Sequence, residues 1–265
     1  VIYGAMFLGQ FDPALAAVRG MADTTPEDML RMPSPPMAAY FESYLSMEPH
    51  LLVRFGKWHE AIALSLPDDQ ELFCTLTAFT HYARGVAHAA LGHVAEAEVE
   101  EKLFLAAKAR VPDSRVLHNN KVIHLMEIAT HMLRGEIAYR KEEYDRAFEQ
   151  LREAITIEDN LPYDEPWGWM QPTRHALGAL LFEQGHITEA ETAYREDLGL
   201  GGQLSRATVH PDNVWSLKGL YDCLEARGEV VEIVHIRHRL QMAEARADHS
   251  IKASCACAQA ALQSS

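Results

Sequence analysis

Apolar side chains recur at intervals of three and four residues along most of the chain, and alternation of apolar and polar residues never persists. Intervals of three and four place side chains on one face of an α-helix, whereas a strand repeats every two residues. Leu133 and Ile137 form one such face, and after the polar turn KEEYD a second face is formed by Phe148, Leu151 and Ile155. Two apolar faces joined by a short turn can pack together, so the pattern predicts an all-α chain built from helical hairpins.

One hairpin pattern occurs three times, in the segments HYARGVAHAALGHVAEAE from His81, MLRGEIAYRKEEYDRAFEQLREA from Met132 and RHALGALLFEQGHITEAETAYRE from Arg174. In each segment a glycine of the first helix is followed, twelve residues later, by an alanine of the second helix. We expect these small residues to mark the closest approach of the two helices. The pairs are Gly85 with Ala97, Gly135 with Ala147 and Gly178 with Ala190.

Glycines also stand between the paired helices, where a residue with a left-handed backbone can end the first helix. They are Gly92, Gly185 and Gly228. A weaker copy of the hairpin, PHLLVRFGKWHEAIAL, runs from Pro49 to Leu64, and a degraded copy begins at Trp215 and keeps Gly219. Periodic hairpins of this kind predict a solenoid, in which each repeat packs on its neighbours.

These residues resemble the tetratricopeptide repeat, which has a small residue midway along the first helix, a turn glycine, and then alanine and an aromatic residue or leucine in the second helix. The resemblance extends from about Tyr40 to Ala247 and implies a right-handed α-solenoid of stacked antiparallel helical hairpins. The intervals between copies exceed the usual repeat length of about 34 residues, so extra residues lie in the links. The phrases LVRFGKWHEAI, HYARGVAHAALG and LPYDEPWGWMQPTRHALGALL are also similar to the C-terminal half of a longer group of tetratricopeptide-repeat proteins.

The pattern divides the chain into three parts. Residues 1–31 are expected to form a partial first hairpin at the edge of a fragment, because the sequence begins without Met in what looks like the second half of a helical pair. The segment MPSPPM, from Met32 to Met37, disfavours helix and separates this hairpin from the rest. Residues 37–247 are predicted to form a solenoid of about five hairpins. Residues 248–265 are predicted to be a tail or a frayed helix.

The chain carries 38 acidic and 24 basic side chains, which gives a net charge of −14. Recognition of phosphate requires clustered Lys and Arg, so nucleic acid is not an expected partner, and a charged ligand would be a cation or a basic peptide. No apolar run approaches the ~18 residues of a membrane helix, and four cysteines are too few for a disulfide framework. Cys255 and Cys257 lack the further ligands of a structural zinc site. We therefore expect a soluble, cytoplasmic protein with no membrane partner.

Fourteen histidines raise the question of a metal site. His81 and His131 each stand one turn before a crossing glycine, where a large side chain packs against the neighbouring hairpin, so a structural role is favoured for them. The groove side of the first helices is predicted to be lined by His50, Tyr82, Val86, Met132, Glu136, Tyr139, Arg140, His175, Phe182 and Ser216. Of these, His50, Glu136 and His175 could together bind Zn, Cu or Fe, or carry out general acid–base chemistry.

The link NLPYDEPWGWMQP, from Asn160 to Pro172, is too rich in proline to be helical throughout and too apolar to remain free in solvent. We expect it to fold back over the solenoid and to gather charged and aromatic side chains at one rim of the groove. These side chains are Asp164, Glu165, Trp167, Trp169, Arg174 and His175. An aromatic lid of this kind excludes water and strengthens polar contacts to a small ligand. The sequence equally allows an alternative, in which the two tryptophans fill the gap left by a long link and Asp164 caps the following helix.

Two functions follow from these features. The first is a binding or scaffold protein that holds a peptide or a small extended ligand in its concave groove without a cofactor. The residues expected to contact that ligand are Tyr82, Met132, Glu136, Tyr139, Arg140, Asp164, Glu165, Trp167, Trp169, Arg174 and His175. The second is a metal-dependent enzyme or metal-binding protein that uses the inner-face histidines, completed by the N-terminal half that the resemblance implies. No Walker loop, nucleotide-binding glycine triad, nucleophile elbow or H-E-x-x-H motif occurs, so binding is favoured over catalysis.

Overall fold

The computed structural model describes residues 1–258, and most of them form α-helices, which confirms the all-α prediction. The helices are α1 (Ile2–Phe7), α2 (Phe11–Asp23), α3 (Glu27–Leu30), α4 (Met37–Phe41), a 3₁₀ helix (Glu42–Ser46), α5 (Met47–Arg54), α6 (Trp58–Ala63), α7 (Cys74–Ala90), α8 (Val94–Lys108), α9 (Val122–Arg140), α10 (Tyr144–Asp159), α11 (Thr173–Glu183), α12 (Ile187–Asp197), α13 (Val214–Ala226) and α14 (Glu232–Glu244).

Two further segments differ from the helical pattern. Between α8 and α9, the short antiparallel strands β1 (Val116–Leu117) and β2 (Asn120–Lys121) form a hairpin that the apolar pattern does not predict. Two residues per strand are too few to show a period of two. In the predicted tail, residues 248–258 form turns and bends and no helix, and residues 259–265 lie outside the described part of the chain.

The chain divides into two units. The central unit comprises Leu15–Met170, and the terminal unit comprises Val1–Ala14 together with Gln171–Ser265. The predicted first hairpin, residues 1–31, is therefore divided between the units, because the boundary falls within α2. Within residues 1–258, no helix has both the length and the apolar character needed to cross a membrane.

Consecutive helices pack against each other in both units. In the central unit α7 packs along α8, α9 packs along α10, and α7 also contacts α9. In the terminal unit α11 packs with α12, α12 with α13, and α13 with α14. The predicted turn glycines Gly92, Gly185 and Gly228 have φ angles of 81°, 82° and 70°, in the left-handed region, as expected. The turn after α9 has no glycine, and there Glu142 adopts the same conformation with φ of 62°.

In the central unit, glycine allows a close approach between helices. At Gly135 an added Cβ would lie 3.0 Å from Leu151 and 3.3 Å from the carbonyl oxygen of Ala147, which confirms the predicted crossing of α9 and α10. At Gly85 the nearest side chain is that of Leu133, at 3.0 Å, so this glycine admits a side chain of α9. The two glycines therefore bring α7, α9 and α10 together, and these helices carry much of the buried apolar surface of the central unit.

In the terminal unit, a tyrosine ring occupies the space that glycine leaves. An added Cβ at Gly178 would lie 2.5 Å from the ring of Tyr194, and one at Gly219 would also overlap that ring. Tyr194 is almost fully buried. The side chain against Gly178 is thus the tyrosine one turn beyond the predicted Ala190, and it links α11, α12 and α13 through a single ring.

The first turn of α7 is held by a buried carboxylate. Glu42 is fully buried and accepts hydrogen bonds from the backbone N–H groups of Thr75 (3.2 Å) and Leu76 (2.9 Å). A carboxylate at this position satisfies N–H groups that have no partner within the helix and interacts favourably with the helix dipole. The guanidinium of Arg115 lies 3.5 Å from the same carboxylate. These contacts fix the start of the helix whose aromatic side chains form the candidate site.

Gly92 and Glu142 both adopt the left-handed conformation, so exchanging the residue type at each should change the free energy of unfolding in opposite directions. Gly92→Ala introduces a Cβ at φ of 81° and is expected to lower the free energy of unfolding by about 1 kcal/mol. Glu142→Gly relieves the same strain and is expected to leave the free energy of unfolding unchanged or to raise it by up to about 1 kcal/mol. Urea unfolding measures both changes, with Glu142→Ala as the control that keeps the strain. If Glu142→Gly lowered the free energy of unfolding as much as Gly92→Ala does, the backbone strain assigned to Glu142 would be contradicted.

Candidate functional site

The link between α10 and the end of the central unit folds back onto the first helices of that unit. Residues 161–170 form no helix or strand. Trp169 is 1% exposed, and its ring centroid lies 5.1 Å from that of His50, 6.1 Å from Tyr82 and 6.3 Å from Phe79. The rings of Trp169 and His50 meet edge to face, a favourable arrangement for aromatic side chains. The expectation that the link folds back is therefore met within the central unit, and we call this aromatic cluster the Trp169 pocket.

The turn between β1 and β2 holds the other end of the link. The carboxylate of Asp164 accepts hydrogen bonds from the backbone N–H of Asn119 (3.2 Å) and from the side-chain amide of Asn120 (3.1 Å). The amide of Asn119 donates to the carbonyl oxygen of Tyr163 (2.9 Å), and that of Asn120 donates to the carbonyl oxygen of Pro162 (3.4 Å). We call Asn119 and Asn120 the asparagine clamp. It binds two backbone carbonyls and one carboxylate of a segment without secondary structure.

The proposed helix-capping role of Asp164 is wrong. The N-cap position of α11 is occupied by Pro172, and no side-chain hydrogen bond caps that helix. Asp164 is buried and its carboxylate is directed to the asparagine clamp instead. The β1–β2 turn supplies these donors, and a turn between two-residue strands leaves no periodic signal in the sequence.

Gly168 lies where the link passes closest to the clamp. An added Cβ at this position would lie 2.6 Å from the side-chain nitrogen of Asn120, which is closer than packed atoms approach. The residue before the buried tryptophan must therefore be small. In the rest of the link, Trp167 is also buried, whereas Glu165 is exposed and hydrogen-bonds Tyr163.

The Trp169 pocket is electrically neutral. Complete burial lowers the pKa of His50 to about 3, because the apolar surroundings disfavour the imidazolium. Burial, and in second place the negative charge of Glu136, raise the pKa of Tyr82, so its phenol stays protonated. That phenol lies 3.8 Å from the sulfur of Met132, as a weak donor to it. His50 and Tyr82, which were predicted to line the groove, are thus buried beneath the chain's own tryptophan.

Three other predicted site residues contact one another on α9. Glu136 and Arg140 form an ion pair at 2.7 Å, one helical turn apart, and the carboxylate side chain is 6% exposed. The guanidinium of Arg140 also lies 5.6 Å from the ring centroid of Tyr139. Partial burial and the hydrogen bond strengthen this pair relative to an exposed one. The predicted contacts of Met132, Glu136, Tyr139 and Arg140 with a ligand stay predictions.

His81 and His131 bond within their own hairpins. The Nδ1 atom of His81 lies 2.6 Å from the carboxylate of Glu100, and that of His131 lies 3.0 Å from the side-chain oxygen of Gln150. In both cases the partner is nineteen residues later, on the second helix of the pair. A structural role for these two histidines agrees with this geometry, but the hydrogen-bond partner lies on the same hairpin and not on the neighbouring one as expected.

The remaining predicted residues, Arg174 and His175, lie in the terminal unit. The guanidinium of Arg174 lies 3.1 Å from the carboxylate of Glu196, and the imidazole of His175 lies 2.8 Å from that of Asp197. Both acidic partners follow 22 residues later, at the end of α12. Phe7 of α1 also approaches His175, with ring centroids 6.2 Å apart. The sequence gives no reason to single out Asp197 on its own.

Asp197 is the centre of a buried polar network that sequence reasoning missed. Besides His175, its carboxylate accepts hydrogen bonds from His210 (2.7 Å), Asn213 (2.9 Å) and Ser216 (2.6 Å). Asn213 also caps α13 by accepting from the backbone N–H of Ser216. The one available signal is the run HPDNVWS, in which an N-cap asparagine and two further polar groups precede a helix.

The network extends to the start of the chain. The other ring nitrogen of His210 is hydrogen-bonded to the hydroxyl of Tyr3 (2.8 Å), and the ring of Phe7 stacks on that imidazole at 4.4 Å. The indole N–H of Trp215 donates to the carbonyl oxygen of Met6 (2.7 Å). These contacts join residues more than 200 positions apart in sequence and hold α1 in the terminal unit.

The charge of Asp197 is stabilised by its partners. Burial alone raises its pKa, but the two imidazoles of His175 and His210, by charge and by hydrogen bonding, lower it further than burial raises it. The pKa of Asp197 therefore lies well below its usual range, and the carboxylate stays ionised. The carboxylate of Asp197 is therefore a buried hydrogen-bond acceptor that joins α11, α12, α13 and the link between α12 and α13.

None of the contacts described above adds support to the predicted metal site of His50, Glu136 and His175. Among residues 1–258, no group of three or more His, Cys, Asp or Glu side chains is arranged to hold a metal ion. His50 and Glu136 belong to the central unit and His175 to the terminal unit. A Zn, Cu or Fe site formed by these residues stays a prediction for metal analysis to test.

Comparisons with protein-family models, with curated proteins and with solved structures gave no match.

Replacing Asp197 tests the polar network. Asp197→Asn removes the charge that faces two imidazoles and is expected to lower the free energy of unfolding by about 3 kcal/mol at neutral pH. Because the pKa of Asp197 is depressed in the folded state, its ionised form contributes stability above the unfolded pKa of about 4, and that contribution is lost as the pH falls. The difference between the variant and the native chain should therefore shrink in acid.

Urea unfolding at pH 7 and at about pH 3 measures both quantities. Glu196→Gln is the matched control, since it alters the adjacent, partly exposed carboxylate and should cost less than about 1 kcal/mol. An Asp197→Asn chain as stable as the native one at neutral pH would show that the network contributes nothing.

Proposed function

We propose that this chain is a helical-repeat binding protein of the tetratricopeptide type, which holds an extended peptide on the first-helix face of its central unit. On this proposal the hairpins stack as a right-handed solenoid, and the inner face carries the ligand. The observation that supports it best is the chain's own link. Trp169, in a segment without regular secondary structure, packs on this face as the anchor of a bound peptide would, and the β1–β2 turn holds the other end of the segment.

The contacts to the link are of the kind used in peptide recognition. The asparagine clamp donates to the carbonyl oxygens of Pro162 and Tyr163, and any peptide sequence presents such carbonyls. Specificity then comes from the side chains, and a large aromatic anchor in a buried pocket contributes most of the affinity in typical interfaces. Trp169 has this role in the link. The site thus combines a tolerant backbone contact with one selective pocket.

The same contacts define the ligand. The Trp169 pocket is neutral and lined by rings, so it favours an aromatic side chain over a charged one. The clearance at Gly168 requires a small residue immediately before the aromatic one. The asparagine clamp donates to a carboxylate that lies five positions before the aromatic residue, as it does to that of Asp164. The ligand is therefore an extended peptide in which four residues separate an acidic residue from an aromatic one. The last of those four residues is glycine.

The link is an occupant that a better ligand can displace. The indole N–H of Trp169 is buried and finds no acceptor among the protein groups of residues 1–258. A buried donor without a partner costs about 1–3 kcal/mol, so the docked link is less stable than a fully satisfied ligand would be. Its advantage is covalent attachment, which gives a segment on a short tether an effective concentration in the millimolar range. A peptide in solution must overcome that advantage.

Displacing the link gives the test. In the 265-residue Trp169→Ala chain the anchor is gone, and a fluorescently labelled peptide of the link sequence, NLPYDEPWGWM, should bind at least tenfold more tightly than to the native chain, because ~1.4 kcal/mol of competition is removed. Fluorescence anisotropy measures the dissociation constants. The same peptide with alanine in place of its second tryptophan should bind weakly to both chains.

Two controls make the result specific. Tyr163→Ala changes a side chain of the link that is 57% exposed and should leave peptide binding as in the native chain. Thermal unfolding establishes that the Trp169→Ala chain is folded, and Trp169→Leu, which keeps apolar volume, replaces it if it is not. A folded variant that shows no affinity for the peptide would refute the proposed function.

A further inference from the structure

A segment at the end of the described chain closes over the terminal unit without forming a helix. We call residues 251–258 the closing segment. Ile251, Cys257 and Ala258 are each at most 5% exposed, and Ser254 is 1% exposed. An added Cβ at Gly9 would lie 3.3 Å from Ile251, so the segment also packs against the turn after α1. Burial of this extent means that the segment is part of the terminal unit.

Ser254 is the polar anchor of the closing segment. Its hydroxyl donates to the backbone carbonyl of His175 (2.8 Å) and is hydrogen-bonded to the hydroxyl of Tyr194 (2.6 Å). Tyr194 is the ring that lies against Gly178 and Gly219, and burial raises the pKa of its phenol, which stays protonated. A buried phenol that loses a hydrogen-bond partner is costly. The position of Ser254 therefore matters to the packing of three helices.

A disulfide bond follows this anchor directly. Cys255 and Cys257 are joined, with Cα atoms 5.2 Å apart and one residue between them. Cys255 is partly exposed, whereas Cys257 is 2% exposed. The other cysteines, Cys74 and Cys223, are buried free thiols. Cys255 is thus the more exposed partner of the bond, and Cys257 belongs to the buried side of the segment.

We propose that Cys255 and Cys257 form a thiol–disulfide exchange site, which reacts with low-molecular-weight thiols and controls whether the closing segment stays docked. The bond restricts the backbone immediately after Ser254, and its loss returns conformational freedom to those residues. In a compartment that keeps thiols reduced, disulfides of this kind are usually transient and redox-sensing. The site therefore couples the redox state of the surroundings to the contact between Ser254 and Tyr194.

The exchange proceeds in two balanced steps. The thiolate of an external thiol attacks the accessible sulfur of Cys255, a new sulfur–sulfur bond forms, and Cys257 leaves as a thiolate that takes up a proton. A second external thiolate then attacks the external sulfur of the mixed disulfide, which releases Cys255 as a thiolate and forms the oxidised external disulfide. Two external thiols are oxidised and one protein disulfide is reduced. An external disulfide such as oxidised glutathione reverses both steps.

Trypsin cleavage after Lys252 reports docking of the closing segment. Lys252 is exposed but lies between buried residues of the segment, so the protease needs the segment to open. Treatment of the native chain with dithiothreitol is expected to raise the rate of cleavage after Lys252 roughly tenfold, because that rate follows the population in which the closing segment is open. Cleavage after Lys102, in α8 of the central unit, should not change. Mass spectrometry identifies both products and counts the free thiols.

The double variant Cys255→Ser, Cys257→Ser is the matched control. It should be cleaved after Lys252 at the fast rate with or without dithiothreitol, while Cys74→Ala should respond as the native chain does. Equal cleavage of the oxidised and reduced native chain would overturn the proposal. So would a response to dithiothreitol in the double variant, or a chain in which Cys255 and Cys257 stay reduced in the presence of oxidised glutathione.

Discussion

The packing of one tryptophan ring against the first helices is the contact on which the position of the link in the central unit depends. Trp169 ends a link without secondary structure, and its burial against His50, Phe79 and Tyr82 turns that link into part of the fold. The helices can receive the ring because Glu42 holds the start of α7 and small residues draw the helices together. Without the ring, the aromatic side chains around it would be exposed to solvent, and on our proposal they form the pocket for the aromatic residue of the peptide.

In the terminal unit, parts of the chain that are distant in sequence pack around buried polar groups. Asp197 is ionised in an apolar interior because two imidazoles, an amide and a hydroxyl surround it. Tyr194 is buried between helices because glycine makes room for its ring and Ser254 satisfies its hydroxyl. In each case one residue organises several elements, so small chemical changes at its partners are transmitted to the packing of helices. A disulfide next to Ser254 is placed where such a change would matter.

The sequence predicted those features that arise from short-range order. Helical pairs, the left-handed glycines in their turns and the crossing at Gly135 all follow from intervals of a few residues. The link was expected to fold back because of its composition, but its partners were not predictable. The asparagine clamp lies on a turn between two-residue strands, and the hydrogen-bond partners of Asp197 come from α11, from the link before α13 and from α13 itself. The link was expected to form an aromatic lid, and Trp169 is buried against His50, Phe79 and Tyr82 because that apolar ring gains more by burial than by exposure.

The central claim is that an external peptide and the link compete for one face, and Trp169 itself can report that competition. Incorporation of 5-fluorotryptophan gives a fluorine resonance for each tryptophan, and a Trp169→Phe chain assigns the one that belongs to this ring. As the peptide is added to the native chain, the account predicts that this resonance moves from its buried position to that of a solvent-exposed tryptophan. If the peptide saturates the protein while the Trp169 resonance stays where it was, the peptide binds elsewhere and the account is contradicted.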